Sequence, residues 1–102
     1  MTREEHFEQG MNHFVEDRLE DAIAEFEKAV ALDENFGDAL HALAMSHYHL
    51  SHVDEAIRWG EAMRKAEPDN VHAYTSLSMF YNAKGFIAKA EEMGARAAKL
   101  AE

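Results

Sequence analysis

The sequence has no cysteine, one proline and only five glycines among its 102 residues. Without cysteine it forms neither disulfide bonds nor thiolate metal sites. Because helix-breaking residues are rare and no run of alternating β-branched residues occurs, the composition favours helices throughout. The chain also lacks an apolar run near the roughly 20 residues of a membrane span, and its first residues lack the pattern of a secretion signal. These absences predict a soluble, cytoplasmic protein.

Basic residues are scarce as well. Ten lysines and arginines stand against twenty aspartates and glutamates, so the net charge is −10 at pH 7 with neutral histidines. A surface of this sign repels the phosphates of nucleic acids and the headgroups of anionic lipids. The charge therefore predicts no nucleic-acid partner and no membrane partner, and it keeps a small domain soluble.

The chain does contain an internal repeat. The stretch at residues 19–29 returns twice, and its anchor alanines, which lie 34 residues apart, are Ala22, Ala56 and Ala90. A fixed period of this length, filled with helix-forming residues, is typical of stacked helical repeats. Six helices are predicted, at about residues 2–17, 20–32, 38–50, 54–67, 71–84 and 88–102. Because the turns between them are short, consecutive helices are expected to lie antiparallel.

Several polar residues are predicted to cap these helices. Thr2 and Glu5 have the spacing of a capping box, in which each side chain accepts a hydrogen bond from the backbone N–H of the other residue. Asn35, Asp54 and the pair at residues 69–70 are the predicted N-caps of the third, fourth and fifth helices.

The three periods match one another in register. The residues that carry the pattern are His6, Gln9, Gly10, His13, Ala22, Phe26 and Ala29, then Leu40, Leu43, Ala44, His47, Ala56, Gly60, Met63 and Pro68, then Tyr74, Leu77, Ser78, Tyr81, Ala90, Gly94 and Ala97. This pattern resembles the tetratricopeptide repeat family. The resemblance implies an all-α fold, a right-handed superhelical array of three antiparallel helix–turn–helix repeats with six helices. The chain would form a single domain with repeats at approximately residues 3–36, 37–70 and 71–102.

Two glycines depart from the family pattern, because Gly60 and Gly94 stand where Phe26 stands in the first repeat. Glycine inside a helix costs about 1 kcal/mol relative to alanine, so a packing reason is expected. Either a neighbouring side chain such as Trp59 or Met63 fills the space, or another helix approaches closely. The sequence leaves both explanations open.

The resemblance also implies where a partner binds, since the first helix of each repeat lines the concave face in this family. Methionines recur there 34 residues apart. The predicted partner-binding groove consists of Phe7, Met11, Phe14, His41, Met45, Tyr48, His49, His72, Thr75, Met79 and Asn82. Such a floor suits a peptide or helix bound through apolar contacts, with a basic flank near Glu4 and Asp38. The alternative is that the methionines only complete the core between repeats.

One class of partner is disfavoured by the same comparison. Family members that hold the C-terminal carboxylates of heat-shock chaperones use lysine, arginine and asparagine in this groove. The corresponding positions here hold Phe7, Met11, Ala42, His72 and Ser76. The basic clamp that such a partner requires is therefore missing.

The seven histidines are the main candidates for chemistry, but no two of them have the i, i+4 spacing of a helical metal site. His13 and His47 occupy the position of Tyr81, which favours a structural role. No nucleophile–base arrangement and no glycine-rich phosphate loop occurs. We therefore predict no metal, no cofactor and no enzymatic activity.

The resulting functional prediction is a non-catalytic protein–protein interaction module that binds a peptide or helix in the groove. Two alternatives remain open. One is a self-associating scaffold unit, a homo-oligomer formed through the uncapped last repeat. The other is a metal or pH sensor based on the histidines.

Overall fold

The computed structural model describes all 102 residues and contains six helices and no strand. The helices are α1 (Arg3–Val15), α2 (Leu19–Leu32), α3 (Gly37–His49), α4 (Val53–Ala66), α5 (Val71–Lys84) and α6 (Ile87–Leu100). Their predicted bounds are correct to within about two residues, and the all-α fold is confirmed. No helix combines the length and apolarity that are needed to cross a bilayer.

The helices form three hairpins that stack in chain order. Each hairpin pairs two consecutive helices, and α3 and α5 also pack against the second helix of the preceding hairpin. The molecule is elongated, with extents of 40 × 25 × 19 Å. This arrangement leaves α1, α3 and α5 along one side of the array, which we call the first-helix surface.

Two of the predicted caps are confirmed. Thr2 Oγ1 accepts from the Glu5 backbone N–H at 3.1 Å, and the Glu5 carboxylate accepts from the Thr2 N–H at 2.8 Å, which completes the capping box of α1. The Asn70 side chain accepts from the backbone N–H of His72 at 2.9 Å and caps α5. These side chains satisfy backbone donors that a helix N-terminus leaves free.

The predicted caps Asn35 and Asp54 are wrong. The chain between α2 and α3 forms a turn in which the Asn35 N–H donates to Asp33 Oδ1 at 3.0 Å, so Asn35 lies inside the turn and Phe36 takes the cap position. Helix α4 begins before Asp54, which therefore lies in its first turn. There its carboxylate is favourably placed near the positive end of the helix dipole.

The two unusual glycines differ in their surroundings. A Cβ atom added at Gly60 would lie 2.8 Å from Leu77 Cδ2 and 3.4 Å from Phe80 Cδ2, both on α5. Close approach of a neighbouring helix, rather than filling by Trp59 or Met63, therefore explains this glycine. A Cβ atom at Gly94 would meet only Ser78 Oγ, at 3.4 Å.

Candidate functional site

The three methionines of the first-helix surface are half-buried. Met11 packs against the smaller core cluster formed around Phe26, while Met45 and Met79 pack against the larger cluster that contains Leu77. Each methionine therefore contributes to the core with one side and remains accessible on the other. The core contacts that the second interpretation requires are therefore present, and the binding of a partner by the accessible side stays a prediction.

An apolar cavity of about 260 Å³ lies on the first-helix surface between α1 and α3. Its lining consists of Phe7, Met11, Phe14, Asp38, His41, Ala42 and Met45. The Phe7 ring is held between Phe26 and Phe36, with centroid distances of 5.8 and 5.4 Å. Aromatic packing on both sides keeps this wall in place. The cavity thus has preformed apolar walls and one carboxylate.

A second, more open cavity of about 730 Å³ lies further along the array. It is lined by Tyr48, Thr75, Ser78, Met79, Asn82, Ala83, Gly94 and Ala97. The hydroxyls of Thr75 and Ser78 already donate to backbone carbonyls, at 3.1 and 2.8 Å. The Asn82 side chain forms no hydrogen bond within the protein, so its amide is free to bind a ligand. This end of the surface is therefore more polar than the first.

Nine of the eleven predicted groove residues line one of these cavities, and His49 and His72 line neither. The centroid of the His49 ring lies 5.8 Å from that of Phe14, which lines the apolar cavity, and 6.1 Å from that of Tyr48, which lines the open one. His49 therefore lies between the two cavities. The predicted set omits six residues of the two linings. Four of them, Asp38, Ala42, Ser78 and Ala83, lie on first helices, whereas Gly94 and Ala97 were missed because the prediction assigned the surface to first helices only. The small size of Gly94 and Ala97, at positions that face α5, was the signal available in the sequence.

His41 and His72 form a stacked pair at the edge of the apolar cavity, with ring centroids 6.1 Å apart and planes inclined by 25°. His41 Nε2 lies 3.2 Å from Ser76 Oγ. Burial, and after it the charge of His72, lowers the pKa of His41. The imidazole of His41 is therefore neutral at pH 7 and compatible with an apolar ligand.

The charges around the apolar cavity are acidic. Asp38 lines the cavity and forms no ion pair. Glu4 differs, because its carboxylate is bound by Arg3 Nε at 2.6 Å, and this hydrogen bond lowers the pKa of Glu4. No lysine or arginine lines either cavity. Of the two carboxylates considered from the sequence, Asp38 is thus the one available to a basic ligand.

The remaining histidines lie apart from these cavities. His47 Nδ1 and His52 Nδ1 are 3.3 Å apart, and burial followed by the charge of His52 lowers the pKa of His47. His13 Nδ1 is buried without a hydrogen-bond partner. No group of three or more histidine, aspartate or glutamate side chains is arranged to hold a metal ion.

Tyr81 occupies the repeat position of His13 and His47. Its hydroxyl donates to Glu61 Oε2 at 2.6 Å, and burial together with this bond raises the pKa of Tyr81 to about 12. In the third repeat this position therefore carries a hydrogen bond from α5 to α4, which belongs to the preceding hairpin.

A family model of the tetratricopeptide repeat matches residues 14–78 of the chain. The chain belongs to the tetratricopeptide repeat family. No curated protein sequence matches it significantly. Membership in the family agrees with the stacked hairpins and confirms the resemblance on which the repeat positions were assigned.

Solved structures of other tetratricopeptide repeat proteins are similar over nearly the whole chain. A crystal structure of MamA has a TM-score of 0.94 and 25% identity, and the match covers 97% of this chain and 58% of MamA. YrrB, described as a TPR protein with an unusual peptide-binding site, has a TM-score of 0.90 and 22% identity, with 98% of this chain and 52% of YrrB covered. The chain thus spans little more than half of these two proteins.

A third structure is close to this chain in length. The second TPR of Spaghetti (RPAP3), bound to the HSP90 peptide SRMEEVD, has a TM-score of 0.93 and 16% identity. The match covers 98% of this chain and 93% of that one. At this identity the likeness establishes the fold alone.

Proposed function

We propose that the chain is a non-catalytic protein–protein interaction module that binds a peptide or helix on its first-helix surface. The observation that carries the proposal is the preformed apolar cavity between α1 and α3, walled by Phe7, Met11 and Met45. Methionine side chains adapt to varied apolar partners, and apolar grooves of this kind accept the apolar face of a helix or peptide. Peptide complexes of related repeats, such as RPAP3 with SRMEEVD, support the class of partner.

The chemistry of the ligand follows from the lining of the surface. The cavity volume of about 260 Å³ accommodates a large apolar side chain. A basic residue beside that anchor would pair with Asp38, the unpaired carboxylate of the lining. An acidic tail such as SRMEEVD finds no lysine or arginine in either cavity and is not expected to bind there.

The surface also changes along the array, which gives a bound ligand a preferred direction. Equivalent positions of successive repeats hold Phe14, Tyr48 and Asn82. The aromatic end faces the apolar cavity, and the free Asn82 amide lies at the open, polar end. We therefore expect the apolar anchor of the ligand at α1 and α3 and its polar portion over α5.

A library of random peptides displayed on phage tests this proposal without a known partner. Peptides selected on the wild type are expected to carry a large apolar residue next to a basic one, and Met45→Glu is expected to abolish their binding. Leu32→Glu is the control, because it likewise replaces an apolar side chain by glutamate, on an exposed residue of α2.

Chemical-shift mapping then locates the bound peptide. Perturbations on α1, α3 and α5 would support the proposal. Equal binding to Met45→Glu, or perturbations confined to α2, α4 and α6, would contradict it.

Self-association is the second candidate, and Gly94 is the observation that favours it. One repeat earlier, the equivalent Gly60 receives the side chain of Leu77 from α5. The face between α5 and α6 offers the same small residue with open space in front of it, and at the start of α6, about two turns away, Phe86 and Ile87 are each 53% exposed. A helix of a second copy that presents a leucine would fit this face.

Sedimentation velocity over a range of concentrations tests the second candidate. A monomer that persists at millimolar concentration would rule it out. A dimer that Gly94→Leu dissociates, because leucine fills the open space, would support it.

A further inference from the structure

A concentration of positive charge lies away from the first-helix surface, on the side of the array formed by the second helices. Four of the ten lysines and arginines line two adjoining cavities there, and they are Arg64, Lys65, Arg96 and Lys99. The cavities measure about 300 and 500 Å³ and share Arg64 and Tyr74. We call this region the cationic cleft.

The repeat architecture does not require these charges. Thirty-four residues before Arg64, Lys65 and Arg96 the chain has, in the same order, Val30, Ala31 and Ala62. The same hairpin packing is therefore built one repeat earlier with apolar side chains. The cationic cleft is a local addition to the scaffold.

The cations of the cleft are largely free to bind another molecule. Lys65 and Arg96 form no ion pair, and the one ion pair of Lys99, with Glu102, is long at 3.9 Å. Arg64 is paired with Glu61 at 2.7 Å. Glu61 and Glu92 are the only carboxylates in the lining, so four cations stand against two acidic groups. The cleft is therefore positive on a molecule whose net charge is −10.

The floor of the cleft is fixed. Tyr74 is only 3% exposed, and its hydroxyl donates to the Pro68 carbonyl at 2.6 Å. The Arg96 guanidinium lies 5.6 Å from the centroid of the Tyr74 ring, which orients it by a cation–π contact. A guanidinium held in this way loses less conformational freedom when it binds a ligand.

We propose that the cationic cleft binds an acidic segment of a partner protein. Aspartate and glutamate carboxylates pair with Arg96 and with the outer edge of Arg64, because a guanidinium binds carboxylates through parallel hydrogen bonds. Lys65 and Lys99 hold further negative charge at the rim. A short acidic segment matches the size of the cleft, whereas a long polyanion extends over the surrounding acidic surface and is repelled.

A short fluorescein-labelled oligoglutamate peptide is a suitable probe, with fluorescence polarisation measured at low ionic strength. The wild type is expected to bind it, and binding is expected to weaken as salt is added, since the contacts are screened. The double variant Arg96→Gln with Lys99→Gln is expected to bind at least about ten-fold more weakly, because it loses two charge-assisted contacts.

The matched control is Arg18→Gln with Lys28→Gln, which removes the same charge from the first hairpin. It is expected to leave the affinity within about two-fold of the wild type. An equal loss in both double variants would show that only net charge matters and would overturn the proposal. So would undetectable binding by the wild type.

Two further arms identify the ligand and separate this site from the groove. If inorganic phosphate displaces the peptide while sodium chloride of equal ionic strength does not, the cleft is a phosphate site and the assignment to an acidic segment is wrong. Met45→Glu is expected to retain its affinity for oligoglutamate, because Met45 lies on the first-helix surface. Loss of binding in this variant would refute a separate site.

Discussion

The same substitution at two equivalent glycines is expected to change stability in opposite directions. Replacing glycine by alanine inside a helix is intrinsically favourable by about 1 kcal/mol, and this gain applies to both Gly60→Ala and Gly94→Ala. The two sites differ only in what the added methyl group meets. At Gly94 it meets Ser78 Oγ at 3.4 Å, an ordinary contact, so we expect most of the gain to be retained.

At Gly60 the methyl group would lie 2.8 Å from Leu77 Cδ2 and 3.2 Å from Leu77 Cγ. Leu77 has no exposed surface and is enclosed by the larger core cluster, so it has no free space to move into. Overpacking of this kind costs about 1–3 kcal/mol. At the middle of this range the loss exceeds the gain in helix propensity by about 1 kcal/mol, so we expect Gly60→Ala to be about 2 kcal/mol less stable than Gly94→Ala.

Urea unfolding followed by circular dichroism at 222 nm measures this difference. For a domain of this size, about 2 kcal/mol corresponds to a difference of roughly 10 °C in the midpoint of thermal unfolding. Comparable slopes of the unfolding free energy with urea concentration are needed for a direct comparison. If Gly60→Ala proves as stable as Gly94→Ala, Leu77 does not lie against Gly60 in solution, and the packing of α5 on α4 would have to be revised.

Three further predictions address caps, a buried hydroxyl and pH. Asn70→Ala is expected to lower the free energy of unfolding by about 1 kcal/mol because it removes a cap, whereas Asn35→Ala, which removes none, is expected to change it by less than about 0.5 kcal/mol. Tyr81→Phe removes the hydrogen bond to the partly exposed Glu61 and is expected to cost about 1 kcal/mol in urea unfolding; an unchanged midpoint would contradict that bond. Burial, and after it the imidazole of His72 on α5, lowers the pKa of His41 in the folded state. Between that lowered pKa and the usual value of 6.5, the unfolded chain therefore binds more protons than the folded chain. Stability therefore falls as pH decreases from 7.5 toward 5.5, and His41→Gln is expected to reduce this slope in unfolding measured across that range; an unchanged slope would refute the assignment.

The frame of the molecule could be predicted from the sequence because its determinants are local and repeated. Helix-forming residues recur with a fixed period, and the capping box of Thr2 and Glu5 lies within a single turn of helix. The errors at Asn35 and Asp54 have a physical cause. A cap works only at one backbone position, so a shift of one or two residues in the turn is enough to remove its role.

Features that depend on contacts between helices were harder to predict from the sequence. The sequence offered two explanations for Gly60, and only the position of Leu77 on α5 distinguishes them. The groove residues could be listed by register, since equivalent positions of the first helices share one side. The cationic cleft could not be predicted in this way, because three of its four cations lie in the last turn of a helix, where lysine and arginine are ordinarily favourable.

Equivalent positions of the three repeats distinguish the residues that build the fold from those that form the candidate sites, and they do so more clearly than composition does. Where the three repeats agree, as at Ala22, Ala56 and Ala90, the side chains are buried. Where the repeats differ at the surface, the fold does not require the difference, because the same helices pack in every repeat. Both proposed sites include such differences: Phe7 and His41, where the third repeat has Thr75, in the apolar cavity, and Arg96, where the second repeat has Ala62, in the cationic cleft. A variant at one of these differing positions is therefore expected to lose binding without losing the fold, and this separation is what makes the two proposals independently testable.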